Sequence, residues 1–421
     1  MRVAFVVDSF PTISETFILN QVVGLLDLGH DVHIIAKRRP PPGIVHKRVA
    51  DYDLLQRTKY APIPATKIGR LVGATPALIK GLTQNRRLTL EAARLMNLVG
   101  RRIFTPTPLY QILPFLDVEP FDIVHCHFGL NGDLGVALRR AGLTKRVITS
   151  FHGYDLRLGL SMGPRLYARL ASSGDVFLVA VEYARQVLSQ LGFPSERVVY
   201  HPVGIDMGAF APSRREESYA PEGASSVRVL TVARLVPEKG LQYGIAAIAE
   251  VLKHRPDLSI RYLIVGGGPL KDELQCLAAR LGLQRIVQFY GPAREDEVPQ
   301  LMRSADIFLL PSVVEAGGTV NIEAQAVGLP VVATCVGGVP EIVPHGVSGF
   351  VVPPADPDAL AERILQLALD EGLRCRMGAA GHRHVEQHFN IKKLNRRLVT
   401  LYEHVLAGRP VGEFESVAPL H

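Results

Sequence analysis

At 421 residues, with 47% apolar and 21% charged residues, the chain has an ordinary globular composition and more length than one hydrophobic core usually supports, so two domains are expected. No window approaches the roughly 18 consecutive apolar residues of a membrane span, and Cys126, Cys276, Cys335 and Cys375 lack metal-ligand spacing and read as isolated reduced thiols, as in a cytoplasmic protein. The net charge of +7 is uneven, with 25 Lys/Arg against 16 Asp/Glu in residues 1–210 and 22 against 24 in the remainder. The basic half is expected to face something anionic, and without a Cys/His finger, a basic zipper or an aromatic RNA-binding signature, a membrane surface is favoured over nucleic acid.

The chain opens with MRVAFVVDSF, an apolar run ending in an acid, which reads as a first strand and not a secretory leader. The loop PTISE and a helical stretch over 16–30 follow, then a strand over 31–36. Residues 38–64 are rich in proline and basic residues and read as a loop. Helical patterns fill 66–102, and in 68–102 seven basic residues and one acid mix with apolar positions; this suits either an interfacial amphipathic pair or helices packed on their own domain. Strands are expected over 121–125, 146–150, 176–181 and 197–201, with a short helix over 134–140. Strands alternating with helices imply βαβ units and a parallel sheet.

Residues 211–226 (APSRREESYAPEGASS) form the best linker. A second α/β series has strands over 229–232, 261–265, 286–289, 307–310, 331–334 and 350–352, and a long helical region closes the chain. The expected organisation is a domain over 1–210, the linker 211–226, a second domain over 227–385, and a helical region over 386–421 returning toward the first domain. Two such domains leave a cleft, the default place for a ligand.

The most informative stretch is PSVVEAGGTVNIEAQAVGLPVVATCVGGVPEIV, beginning at Pro311. It reads as a glycine loop leaving a strand, a helix and another strand, with Glu315 in the loop and Glu323 in the helix. The two acids suit a general acid and base for glycoside cleavage or a clamp on a hydroxyl-rich ligand, and Glu323 also fits a solvated helix position. Arg234 and Lys239 in VARLVPEKG suit a diphosphate clamp or a solvated surface. Gly266, Gly267 and Gly268 follow a strand and precede a helix; they permit close backbone approach to a ligand, or a tight turn with none. His152, in SFHGYD, ends a strand beside Gly153, where imidazole serves as base, electrophile or hydrogen bonder. His125 and His127 end the preceding strand. No convergent metal-ligand set is evident.

Together these segments resemble retaining glycosyltransferase family 4. The most specific piece is Glu315–x7–Glu323 followed by GLPVVAT and GGVPEIV, supported in order by FHGYD, VGID, VARLVPEKG and IVGGGPL. The resemblance runs over nearly the whole chain. It implies two facing Rossmann-like domains with an interdomain cleft, the GT-B type. It also implies transfer of a hexosyl unit from a nucleoside diphosphate sugar to a hydroxyl acceptor, with retention and without a metal or other cofactor. By the same resemblance Glu315 contacts the transferred sugar, Glu323 the ribose, and Arg234 and Lys239 the diphosphate. Gly266–Gly268 and the backbone of Gly317, Gly318 and Thr319 line the donor, and His152 lies beside the reacting sugar. Ser14, Glu15, His127 and Asp155 are expected on the acceptor side. The family's Gly-Gly pair in the first loop is replaced here by DSFPTISETF. That FP–x–x–SETF form looks like the branch that builds exopolysaccharides of the colanic-acid and amylovoran types. A lipid-linked glycan acceptor and peripheral association with the inner face of the plasma membrane fit the basic first half.

Three rivals are weighed. A nicotinamide-dependent oxidoreductase requires a complete glycine fingerprint and a ribose acid after the second strand, and neither is present. A non-catalytic nucleotide- or carbohydrate-binding protein of the same fold has no need of the Arg234 and Lys239 pair. A phosphorylase needs a pyridoxal lysine and a longer chain.

Overall fold

The computed structural model describes residues 1–12, 15–41, 46–96, 105–212, 226–294 and 296–417. They divide into two compact units: Met1–Pro202 together with the chain from Ile391, and Val203–Asn390.

The first unit is built on a seven-stranded parallel sheet in the order β3-β2-β1-β4-β5-β6-β7. Its strands are β1 (Arg2–Ser9), β2 (Asp31–Arg38), β3 (Thr58–Tyr60), β4 (Phe121–His127), β5 (Thr144–Phe151), β6 (Val176–Val179) and β7 (Val198–Tyr200). Val3 to Val7 of β1 are all enclosed, as a central parallel strand covered on both faces requires. Strand β3 lies where the sequence reads as loop; it is a three-residue edge strand with Lys59 exposed, too short to show an apolar alternation. The helix after β4 runs over Gly129–Arg140 and starts five residues before the expected 134, because the Asp155 carboxylate accepts the Gly129 N–H at 2.7 Å. Helices Lys67–Val72, Ala74–Gln84 and Arg86–Met96 occupy the basic stretch, and its residues 97–102 lie outside the described residues.

The helix Ile391–Leu406 belongs to this unit. Leu394, Leu398, Leu401, Tyr402 and Val405 recur at helical spacing and enter the same core as Val3, Phe5 and Val22.

The second unit holds a six-stranded parallel sheet in the order β10-β9-β8-β11-β12-β13. Its strands are β8 (Val227–Val232), β9 (Ile260–Val265), β10 (Val287–Gly291), β11 (Ile307–Leu310), β12 (Val331–Thr334) and β13 (Gly349–Val352). Residues 203–210, read from sequence with the first domain, pack with this unit. The Ile205 N–H bonds Phe389 O at 2.9 Å, and the Arg303 guanidinium donates to Ala209 O and Ala211 O. Most of the expected linker, residues 213–225, lies outside the described residues.

In both sheets the strand order reverses beside the first strand, between β1 and β4 and between β8 and β11. The carboxyl ends of strands flanking such a reversal form the crevice in which open α/β sheets bind ligands. Among the described residues no helix is long and apolar enough to cross a membrane.

Candidate active site

In the second unit the reversal is lined by the loops after β8 and β11. The β8 loop ends in a 3-10 turn, Pro237–Lys239, and then Gly240 at φ 58°, where a Cβ would stand 2.1 Å from Pro311 O. Glycine is therefore required for the two loops to meet. The N–H groups of Val313 and Val314 then both donate to Glu238 O, at 2.9 and 3.1 Å. This stitching brings together two residues 76 positions apart in sequence: Lys239 Nζ forms an ion pair with Glu315 Oε2. Both side chains are largely enclosed, 17% and 14% exposed. Ser312 Oγ lies 3.5 Å from the same carboxylate oxygen.

Arg234 differs from Lys239. It is exposed and, among the described residues, has no carboxylate partner, so its guanidinium is available to a ligand. The glycines after β9 set its loop. A Cβ on Gly266 would lie 1.8 Å from Ala233 O, and one on Gly268 2.4 Å from Leu235 O, while the Leu235 N–H bonds Gly267 O at 2.9 Å. Gly266, Gly267 and Gly268 thus hold the Arg234 loop at close range.

Gly317, Gly318 and Thr319 lead into the helix Thr319–Ala326, whose first turn has no side-chain cap and no acid. The Asn321 N–H already donates to Gly318 O at 2.9 Å, and the N–H groups of Thr319 and Val320 before it, with the helix dipole, favour an anion there. Glu323 stands one turn further on. Its carboxylate is half-buried and has no hydrogen-bond or ion-pair partner among the described residues, and burial pushes its pKa up to about 7. Asn321, in the first turn, escaped sequence reasoning: it is fully enclosed, with neither polar atom of its amide hydrogen-bonded. An asparagine in a helix's first turn carries no sequence signal of that state.

In the first unit three imidazoles stack. The His125 and His127 rings are 4.6 Å apart, and those of His127 and His152 are 5.4 Å apart and nearly coplanar in tilt, at 6°. His125 is anchored by Tyr402 Oη at 2.6 Å and Ser150 Oγ at 2.7 Å. His127 Nδ1 meets His152 Nε2 at 3.2 Å, while His127 Nε2 is buried without a partner. Burial lowers all three pKa values, to about 3 for His125 and His152 and well below the ordinary value for His127, so the stack is neutral at pH 7. Of the three, only His152 keeps some exposure, and Phe17 and Phe128 flank it at 4.5 and 4.8 Å.

His127 and Asp155, expected on the acceptor side, are both fully enclosed. His127 touches the partly exposed His152 through its Nδ1. The Asp155 carboxylate accepts the N–H groups of Gly129, His152 and Leu156, which favours its charged form, yet burial outweighs them and raises it to about 7. Its role is to join two helix starts. Glu15 stands at the start of helix Thr16–Asp27 and accepts from Thr12 Oγ1 at 2.9 Å; burial, then the charge of Asp8, raises its pKa against that bond. Ser14 lies outside the described residues. Among the described residues no cluster of three His, Cys, Asp or Glu side chains is arranged for a metal ion.

Residues 14–209 match the model of Glycosyltransferase Family 4, and residues 217–384 that of Glycosyl transferases group 1. A putative colanic acid biosynthesis glycosyltransferase, WcaL, of Escherichia coli K12 is 31% identical over 418 residues, 96% of this chain and 100% of that protein. The amylovoran biosynthesis glycosyltransferase AmsK of Erwinia amylovora is 32% identical over 96% of this chain and 99% of its own. Among solved structures, Anabaena Alr3699/HepE in complex with UDP superposes with a TM-score of 0.72 at 20% identity, covering 96% of this chain and all of that one. Sucrose-phosphate synthase of Thermosynechococcus elongatus superposes with a TM-score of 0.74 at 18% identity, over 97% of this chain and all of its own. These two show a shared fold.

Proposed function

The chain belongs to glycosyltransferase family 4, with a group 1 glycosyltransferase domain in its second unit, and from that premise we propose that it moves a hexosyl unit from a nucleoside diphosphate sugar to a hydroxyl acceptor in exopolysaccharide synthesis. The observation that carries the proposal is the arrangement at the β8/β11 reversal. It combines a free guanidinium at Arg234, a Lys239–Glu315 pair, an uncapped helix start and an unpartnered carboxylate at Glu323. A diphosphate meets the cation and the helix start, and two ribose hydroxyls supply the donors that Glu323 lacks.

In this reading the sugar–phosphate bond ionises as Arg234, Lys239 and the first N–H groups of helix Thr319–Ala326 stabilise the charge on the leaving diphosphate. Glu315, fixed by Lys239, stands toward the transferred sugar. The acceptor hydroxyl attacks from the face the diphosphate leaves, a phosphate oxygen takes its proton, and the anomeric configuration is retained. His152, a neutral imidazole, hydrogen-bonds the hexose and orients it. A lipid-linked glycan is the proposed acceptor. Support for docking on the anionic inner face of the plasma membrane comes from the basic first unit. There Ile68, Leu71, Val72 and Ile79 are exposed on helices that carry Lys67, Arg70 and Lys80.

Incubation with UDP-, GDP-, ADP- and dTDP-hexoses, reading nucleoside diphosphate release with and without added glycan acceptors, tests the proposal. Release from one donor is expected; no release and no binding across the panel would overturn it.

A further inference from the structure

We propose that the amino half of strands β8 and β9 carries a second small-molecule site, separate from the donor crevice, which takes an organic anion: one carboxylate or phosphate head on a short apolar body. The proposal does not depend on the glycosyltransferase reading, because it uses none of the residues assigned to the reaction.

An interior strand of a parallel sheet is ordinarily covered on both faces. Strand β9 lies between β8 and β10, and its Ile260, Tyr262 and Ile264 are enclosed on one face. On the other face Arg261 and Leu263 are only half-buried. The opening is a cleft of about 420 Å³ measured out to its mouth, at the small end of the range for ligand sites. Its floor has two rows set by the strand register. Arg228 pairs with Arg261, and two residues further along, about 7 Å, Leu230 pairs with Leu263. Leu301, in the helix Glu297–Arg303, and Ala305, just after it, complete the lining.

The charged row breaks a rule of sheet packing. Neighbouring strands lie about 4.8 Å apart, so two guanidinium stems rooted at paired positions and lining one cleft repel. Arg228 is buried and has Asp306 at hand: the Asp306 carboxylate accepts the Arg228 N–H at 2.8 Å and stands 3.7 Å from its Nε. Arg261 has no hydrogen-bond or ion-pair partner among the described residues, and none of the residues lining the cleft is acidic. A half-buried cation held beside a second cation is a local conflict of the kind that marks ligand sites, and an anion on Arg261 relieves it. Arginine offers the same planar fork to a carboxylate and to a phosphate. The leucine row beside it supplies apolar surface for the rest of the ligand.

Position sets this cleft apart from the donor crevice. From Arg228 to Val232, the end of β8, is about 13 Å, and the Arg234 loop starts beyond that end. An anion drawn to the diphosphate clamp and one drawn to Arg261 therefore occupy opposite ends of the same two strands.

The test is calorimetric titration of the full chain with hexanoate and monohexyl phosphate, and with 1-hexanol and inorganic phosphate as probes that each lack one half of the chemistry. The proteins are the native form, Arg261→Gln, Leu263→Gln and Arg234→Ala, each checked for intact thermal unfolding. The native protein is expected to bind at least one of the two hexyl anions, with 1-hexanol and inorganic phosphate each about tenfold weaker; the tighter anion identifies the head group. Arg261→Gln is expected to lose about tenfold for that anion. Leu263→Gln keeps both arginines and is expected to weaken the same anion while leaving inorganic phosphate unchanged. Arg234→Ala is expected to bind the anion as the native protein does. Equal binding of 1-hexanol, or full anion affinity in Arg261→Gln or in Leu263→Gln, would overturn the site. So would loss of binding in Arg234→Ala, which would put the anion in the donor crevice, and so would a native protein that binds neither hexyl anion.

Discussion

Replacing Glu323 by Gln should move stability and function in opposite directions. The carboxyl has an ordinary value of 4.5, and burial raises it to about 7. Because the folded pKa is raised, the folded protein binds more protons than the unfolded chain between those values. The stability penalty is therefore absent below about pH 4.5, grows as pH rises, and is complete above about pH 7. The full displacement corresponds to about 3 kcal/mol, and the residual exposure of the side chain reduces the expected effect to about 1–3 kcal/mol. Glu323→Gln, which cannot ionise, should gain that amount at pH 8 and almost nothing at pH 4, measured by urea unfolding. The same substitution weakens two charge-assisted bonds to ribose, so nucleoside diphosphate affinity should fall about 10–100-fold at pH 8. Native affinity should also fall as pH drops below about 7. A variant that is less stable at pH 8, or one that keeps full nucleotide affinity, would refute the reasoning.

Other expectations follow from the same geometry. Arg234→Ala should leave thermal unfolding unchanged and lower turnover by about 2–4 kcal/mol of transition-state stabilisation, whereas Lys239→Ala should also lower stability, since it strands an enclosed Glu315. His152→Ala should reduce kcat with nucleoside diphosphate affinity nearly unchanged; full turnover, or a stability loss of several kcal/mol, would contradict its place at the reaction centre. His127→Leu, which removes the partner of His152 Nε2, should lower kcat about tenfold, and His127→Asn, whose Oδ1 falls near the lost Nδ1, should restore most of it. Sedimentation with anionic liposomes at low salt should capture the protein, and Lys67→Glu with Arg70→Glu should release it; no capture of the native form would leave a soluble acceptor as the better reading.

The second unit was legible because its ligand-facing residues lie in short, regular strand–loop–helix segments. An apolar tetrad at 307–310 announces β11, and the glycines after it announce the loop that carries Glu315. The Lys239–Glu315 pair was out of reach, since it depends on two loops stitched through Glu238 O. The unpartnered state of Glu323 and of the Asn321 amide is likewise a property of packing, invisible in residue spacing. In the first unit the strand-end histidines stood out, but their order of burial did not: His125 and His127 occupy alternate positions on β4 and are covered by Tyr402 and His152, which come from distant segments. Asp155, expected on the acceptor side, accepts the N–H of His152 three positions before it and so caps a helix start, a contact that residue types alone do not announce.

A crystal structure with a bound nucleoside diphosphate tests the central claim most directly. The diphosphate is expected at the start of helix Thr319–Ala326 with Arg234 turned onto it, and the ribose hydroxyls on Glu323. A nucleotide bound in the first unit, or one whose ribose lies away from Glu323, would contradict the account.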